Sequence, residues 1–172
     1  VALGTHKSVA QRVIQQFFEY IENLNVPVQS LEPGDPAWQT LQPYTQYLIN
    51  LAFQNRLNVG EQLPYLMHII MMLVGVGNTS FRNSMYTLCT NVIHSVMIEL
   101  KPSSEEVIQK VKQSISQLKD QDFAEMFGFK RSGATKGIQV GTLEINIYNF
   151  RKLIRLCYDV LTLWPQKYLT PW

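Results

Sequence analysis

Hydrophobic residues recur along the first hundred positions at the three-and-four spacing of helix faces. Val9, Val13, Phe17, Ile21 and Leu24 share one face, with Gln11, Gln15, Glu19 and Glu22 elsewhere, so a helix is predicted over 8–24. Pro27, Pro33 and Gly34 break the pattern over 25–35, which reads as an ordered loop. Asp35 before Pro36 then supplies an N-cap and an N1 proline, and Trp38, Leu41, Tyr44, Leu48 and Leu51 form the stripe of a second helix. Pro43 falls within that stripe and predicts a kink or a split, because proline lacks the backbone donor and crowds the preceding turn.

The third helix, predicted over 61–76, is apolar on nearly every side through Leu66, Met67, Ile69, Ile70, Met71, Met72, Leu73 and Val74. Such a helix is expected at the centre, covered by neighbours on more than one face. Gly75 and Gly77 supply positive-φ positions to end it, and Thr79 or Ser80 is expected to cap a fourth helix running to about residue 99. The buried side of that helix is predicted as Phe81, Met85, Leu88, Val92, Val96 and Met97.

Beyond residue 100, Ser103 and Glu106 have the spacing of a capping box at the start of a fifth helix with Val107, Ile108, Val111, Ile115 and Leu118 inward. Lys110, Lys112 and Gln113 are left to face water. A short turn or helix follows near residues 122–126, and the glycine-rich stretch 128–141 reads as the most flexible loop. A last helix carries Leu143, Ile147, Phe150, Ile154, Cys157, Tyr158 and Leu161, and Pro165 ends it.

Apart from the short Ile138–Val140, nothing alternates as a strand would, so the predicted class is all-α. Successive long helices joined by short turns resemble the helix pairs of HEAT or armadillo arrays, an α-α superhelix with repeats of roughly 40–47 residues. No self-similar motif stands out across the pairs, and a closed helical bundle is the alternative.

Charged residues make up 16% of the chain, well under the roughly 25% usual for a globular domain. Fifteen Gln and ten Asn fill the gap, so much of the surface is neutral and polar. The net charge of +2 is uneven: residues 1–100 carry four basic and six acidic side chains, and residues 101–172 carry eleven and seven. A pI near 8.5 is below that of most nucleic-acid-binding domains, and no nucleic-acid partner is expected. Cys89 and Cys157 lie in apolar helical patterns without metal-type spacing, which favours a reducing, cytoplasmic setting. No secretory signal opens the chain, and the apolar run 65–76 is shorter than the roughly 18–20 residues that cross a bilayer. Val1 is not a methionine and Trp172 follows Pro171 directly, so the chain is expected to be one helical-repeat segment, residues 1–172, cut from something much larger.

Candidate chemistry is sparse. His6, His68 and His94 lie in separate segments, and no metal or other cofactor is expected; His68 and His94 read as half-buried helix residues. Cys89 and His94, five apart on one helix, do not face each other, so Cys89 reads as a buried structural thiol. The glycine pairs at Gly75/Gly77 and Gly128/Gly133 fail the dinucleotide and phosphate-loop patterns in context or in their third position. No convergent acid, base and nucleophile emerges, so no catalytic residue is assigned. The one positive region is Lys130, Arg131 and Lys136 with Arg151, Lys152 and Arg155, a candidate contact for an acidic partner or an anionic membrane.

Three stretches carry a resemblance: residues 48–59 (LINLAFQNRLNV), residues 63–68 (LPYLMH) and residues 91–95 (NVIHS). Gly75 to Gly77, Ser80-Phe81-Arg82, Ser104-Glu105-Glu106 and Phe127-Gly128 support it. With these, nearly the whole chain is similar to the neurofibromin-type Ras GTPase-activating proteins and their fungal relatives that inhibit Ras. The likeness is to the helical-repeat region C-terminal to the GAP module and to the Sec14-like and pleckstrin-like modules. It implies a non-catalytic scaffold segment in Ras signal transduction, with the arginine finger elsewhere in the parent and none of Arg12, Arg56, Arg82, Arg131, Arg151 or Arg155 in that context. It further implies neighbouring repeats of the parent as partners, a homodimeric parent, contact with Ras only through the GAP module, and a cytoplasmic location, peripheral at membranes through the parent. The proline-rich loop at Pro33 to Pro36 points to a fungal or other distant homologue. A stand-alone helical adaptor using the basic region is the alternative function.

Overall fold

The computed structural model describes residues 7–53 and 59–99, together with 105, 106, 109, 112, 113, 116, 124, 127, 129–131, 138–140 and 155. Four long helices dominate the described residues: α1 (Lys7–Glu22), α2 (Trp38–Ala52), α3 (Val59–Leu73) and α4 (Thr79–Glu99). A single 3-10 turn, Val28–Ser30, lies in the loop between α1 and α2.

Local chemistry explains most helix ends. α2 begins two residues later than the expected cap at Asp35 and N1 at Pro36 imply, with Ala37 and no side-chain cap ahead of Trp38. Asp35 Oδ1 instead accepts from the Ala37 amide at 2.8 Å, and Trp38 N donates to the Asp35 carbonyl, in the turn that leads into the helix. The cap of α4 is Asn78, whose Oδ1 accepts from the Phe81 amide at 2.9 Å, and not Thr79 or Ser80 as expected. Gly75 and Gly77 hold φ of 74° and 78°, which turns the chain back on itself after α3. That helix ends at Leu73, three residues earlier than its apolar run.

Pro43 does not split α2, which runs unbroken past it. Pro43 and Gln39 are both exposed, so water can serve the Gln39 carbonyl that loses its partner. In α3, Pro64 is tolerated for an energetic reason. A proline inside a helix costs about 3 kcal/mol, whereas fully burying one leucine contributes roughly 1.5–3 kcal/mol. Leu63 and Leu66, both fully buried, offset it together.

The helices adjoin in a particular order: α1 packs on α2 and α3, and α4 packs on α2 and α3. One layer therefore holds α1 and α3, and the other holds α2 and α4. Within the second layer Trp38 meets Phe81 edge to face at 5.0 Å, Thr45 meets Met85, and Ala52 meets Ser95, so α2 and α4 run parallel. In the first layer Phe18 meets Tyr65 and His68, and Gln29 reaches the Met72 carbonyl from the loop, so α1 and α3 also run parallel. Phe17 stacks on Tyr44 at 5.0 Å and 3° between the layers. As its all-round apolar sequence requires, α3 is covered from two sides, by α1 and by α4, with the 3-10 turn over it as well. On α1 the fully sunk positions are Ala10, Ile14, Phe17 and Ile21, while Val9 and Val13 are half-buried at the margin of the expected stripe.

Further along, residues 105, 106, 109, 112, 113 and 116 are helical, with Lys112 and Gln113 exposed as predicted. Ser103 of the expected capping box lies outside the described residues. Phe127 is buried and meets Tyr86 of α4 edge to face at 5.3 Å. The stretch expected as a loop contains an antiparallel strand pair, β1 (Phe129–Arg131) and β2 (Ile138–Val140), in the register Phe129↔Val140, Lys130↔Gln139 and Arg131↔Ile138. The Ile138–Val140 exception to the all-α reading was therefore a strand signal, with β1 as the partner that sequence alone did not pair.

A Cβ on Gly77 would stand 2.6 Å from the Trp38 indole and on left-handed backbone. Gly77→Ala is expected to lower unfolding free energy by about 2–5 kcal/mol, from the backbone term of ~1–2 and the overpacking of ~1–3. Gly34 has nothing within 4 Å of its Cβ position, and Gly34→Ala should change stability by under about 1 kcal/mol. Urea denaturation followed by tryptophan fluorescence checks both.

Candidate functional site

Of the six basic residues predicted as a contact site, Lys130 and Arg131 are neighbours on β1, and Arg155 is helical and exposed. Lys136, Arg151 and Lys152 lie outside the described residues, as does Cys157. Among the described residues, one strand therefore joins two of the six.

His68 and His94 are exposed, not half-buried as the helical pattern suggested, and His68 stands edge to face with Phe18 at 5.0 Å. Cys89 is buried in α4, as predicted from its position. Among the described residues no three His, Cys, Asp or Glu side chains converge as metal ligands do. No described helix is long and apolar enough to cross a membrane.

What the described residues do assemble is a polar seam between α2 and α4. The last carbonyls of any helix lack partners within it. At the end of α2 the Ile49 carbonyl accepts from Phe53 N and also from Asn91 Nδ2 at 3.3 Å, and the Ala52 carbonyl accepts from Ser95 Oγ at 2.5 Å. Asn91 and Ser95 are four apart, so they stand one turn above each other on α4. Thr45 Oγ1, fully buried, points its hydroxyl at Met85 Sδ at 4.0 Å higher in the same seam. These bonds join residues 40, 42 and 43 apart.

Sequence reasoning missed Asn91, Ser95 and Asn78. Polar side chains standing among the apolar Leu88, Val92 and Val96 were the available signal for the first two. For the third, Asp35 and Trp38 are followed by Asn78 and Phe81, an acidic or amide side chain three residues before an aromatic, and the two aromatics touch.

Among the described residues, the buried atoms Gln62 Oε1 on α3 and Arg82 Nε on α4 have no hydrogen-bond partner. Burial pushes the Arg82 pKa below its usual value, since desolvation disfavours the charged form. Neither atom is part of a ligand-sized cluster of polar groups among the described residues.

Over 90 residues the chain is 31% identical to inhibitory regulator protein IRA2 of Saccharomyces cerevisiae. That match covers 52% of this chain and 3% of the yeast protein, so the chain spans a small fraction of its relative's length. No protein-family profile matches the chain. The relationship to this regulator is a distant one.

Ser95→Ala would strand a buried carbonyl and is expected to cost about 1–3 kcal/mol. Asn91→Ala should cost about 1 kcal/mol, and the double variant should depart from additivity because the two share one helix end. Arg82→Met should stay within about 1 kcal/mol of the parent or exceed it, since a guanidinium with an unpartnered Nε loses little on replacement by an apolar side chain. Guanidinium chloride denaturation measures all four proteins.

Proposed function

We propose that this chain is a non-catalytic segment of a HEAT/armadillo-like array in a cytoplasmic negative regulator of Ras, related to IRA2, where it supports architecture. The observation that carries the reading is the spacing of contacts between like helices. Pairs that pack within the α2 and α4 layer are 40 to 43 residues apart and those within the α1 and α3 layer 43 to 50, close to the roughly 40–47 residues of HEAT and armadillo repeats. The packing order supports the same reading. In an up-down bundle α2 would pack chiefly on α3, and α4 on α1. Here α1 lies along α3, and α2 along α4, which is how two consecutive helix pairs stack. Phe127 on Tyr86 adds a contact 41 residues along in the same sense.

Each repeat of such an array buries its apolar face only against its neighbours. The segment therefore acts by rigidity: it fixes the distance and angle between whatever precedes and follows it. The Ras context rests on the likeness to the yeast regulator and on the stretches at 48–59, 63–68 and 91–95. Activation of GTP hydrolysis belongs to another part of the parent polypeptide in this reading.

Adding the 172-residue chain to Ras carrying GTP is expected to leave the hydrolysis rate unchanged. Deleting residues 7–99 from the native polypeptide should raise the cellular fraction of GTP-bound Ras. Acceleration by the isolated chain, abolished by Arg12→Ala or Arg155→Ala, would overturn the non-catalytic assignment. An unchanged GTP-bound fraction after deletion of the whole polypeptide would remove Ras from the account.

A further inference from the structure

Phe127 fixes where the strand pair joins the helices. It is buried and stands edge to face with Tyr86 of α4 at 5.3 Å, and β1 begins two residues later. One turn before Tyr86, on the same face of α4, comes Arg82, which is 7% exposed and whose Nε lacks a hydrogen-bond partner. The helices packed around Arg82 place their acidic residues elsewhere. α2 has none, and α4 has Glu99 at its far end, roughly 25 Å along the helix axis. α3, which runs opposite to α4 after the turn at Gly75 and Gly77, has Glu61 toward that same far end. The strand pair adds charge of the same sign as Arg82. Across residues 126–143 the sequence has three basic residues and no acidic one, and two of the three, Lys130 and Arg131, belong to β1. Among the described residues the sheet consists of β1 and β2 alone, so β1 is paired along one edge and its other edge keeps a row of backbone donors and acceptors.

We propose that this edge of β1 takes up an acidic segment of a partner protein, which adds as a third strand and brings carboxylates to Lys130, Arg131 and Arg82. Backbone pairing supplies the attraction. A two-stranded ribbon is marginal in water, and a third strand is what makes such a sheet stable. The hydrogen bonds of an added strand are made by the main chain whatever its sequence, so specificity has to come from side chains. Charge provides it. Cations on an edge strand repel an identical edge, which disfavours a second copy of this chain. Opposite charges facing each other across neighbouring strands stabilise the pair.

The pleat sets the pattern of the segment. Lys130 and Arg131 are successive residues and lie on opposite faces of the sheet, so the partner needs carboxylates at adjacent positions, one for each face. Arg82 strengthens the same preference. A guanidinium already removed from most of the water binds a carboxylate more strongly than one at the surface does, and no acidic residue of α2, α3 or α4 is placed to do so first. None of this depends on the Ras reading, and a chain that binds acidic segments without any effect on Ras leaves the inference standing.

The probe is a fluorescein-labelled nonapeptide with three consecutive glutamates flanked by valines and threonines, and its control carries lysines in place of the glutamates. Fluorescence anisotropy is followed as the 172-residue chain is added to about 500 μM, a range that reaches contacts as weak as about 100 μM. The glutamate peptide is expected to bind and the lysine peptide not, and raising the salt from about 0.05 to 0.5 M should weaken binding roughly threefold or more. Lys130→Glu with Arg131→Glu should weaken it at least tenfold, and Arg82→Met several-fold. Arg12→Glu, an exposed change on α1, should leave it unaltered. Circular dichroism and thermal melting confirm that each variant keeps the fold. Amide exchange within residues 129–131 is expected to slow in the complex, as strand addition requires. Absence of glutamate-peptide binding would overturn the inference, as would binding undiminished in the double glutamate variant. Binding with unchanged exchange in β1 would reduce it to charge attraction and overturn the added strand. Capture of the chain by vesicles of equal parts phosphatidylserine and phosphatidylcholine, with no binding of the peptide, would overturn it in favour of an anionic membrane.

Discussion

The contact of α4 along α2 is the constraint on which the rest of the described structure depends. Two helices joined through an intervening helix can lie parallel only if the chain between them returns to its starting end, and the loop, α3 and the glycine turn together do that. Once α4 is alongside α2, α3 has no place except beside α1, because it is tied to α4 through the tight turn at Gly75 and Gly77. The apolar surface around α3 makes the arrangement favourable, since α1 and α4 cover it from two directions. The polar seam makes it specific. Apolar side chains tolerate sliding along a helix, but the Ile49 and Ala52 carbonyls accept from Asn91 and Ser95 in one register only. A slip of one turn would leave buried polar groups unpaired, at about 1–3 kcal/mol each.

The helices themselves were legible because periodicity reports a helix whenever one face is buried. The predicted spans 8–24 and 61–76 differ from α1 and α3 only by fraying and by the point at which the glycine turn takes over. Which residues sit deepest was less legible. On α1 a set beginning at Val9 and one beginning at Ala10 both follow three-and-four spacing, and the positions of α2 and α3 choose the second. Exposure of His68 and His94 escaped for a related reason: each occurs within an apolar run, and burial depends on which side a neighbour arrives. Pro43 misled because the cost of a missing donor depends on whether water reaches the freed carbonyl, a property of the folded surface.

No self-similar motif stood out in the sequence because the likeness between α2 and α4 lies in the role of positions more than in letters. Asp35 and Asn78 do the same work with different side chains, and so do Trp38 and Phe81, which touch. A comparison by identity sees little here, while a comparison by role finds an amide-accepting side chain followed by an aromatic at the start of each helix of the second layer. Of the six basic residues, Lys130 and Arg131 stand on one strand and Arg155 is helical, while Lys136, Arg151 and Lys152 lie outside the described residues.

The stretches that resemble the Ras regulators are not scattered once the chain is folded. Residues 48–59 include the last turn of α2, and residues 91–95 include the two side chains bonded to its carbonyls, so these two stretches meet at the seam. Residues 63–68 include Leu63 and Leu66 in the core and Tyr65 against Phe18 of α1, a contact within the first layer. Each resembling stretch thus serves the stacking of one helix pair on the next. A likeness concentrated there reports a shared way of packing, and it would be expected even between segments with different neighbours and different partners. The resemblance therefore bears most directly on how these helices pack against one another.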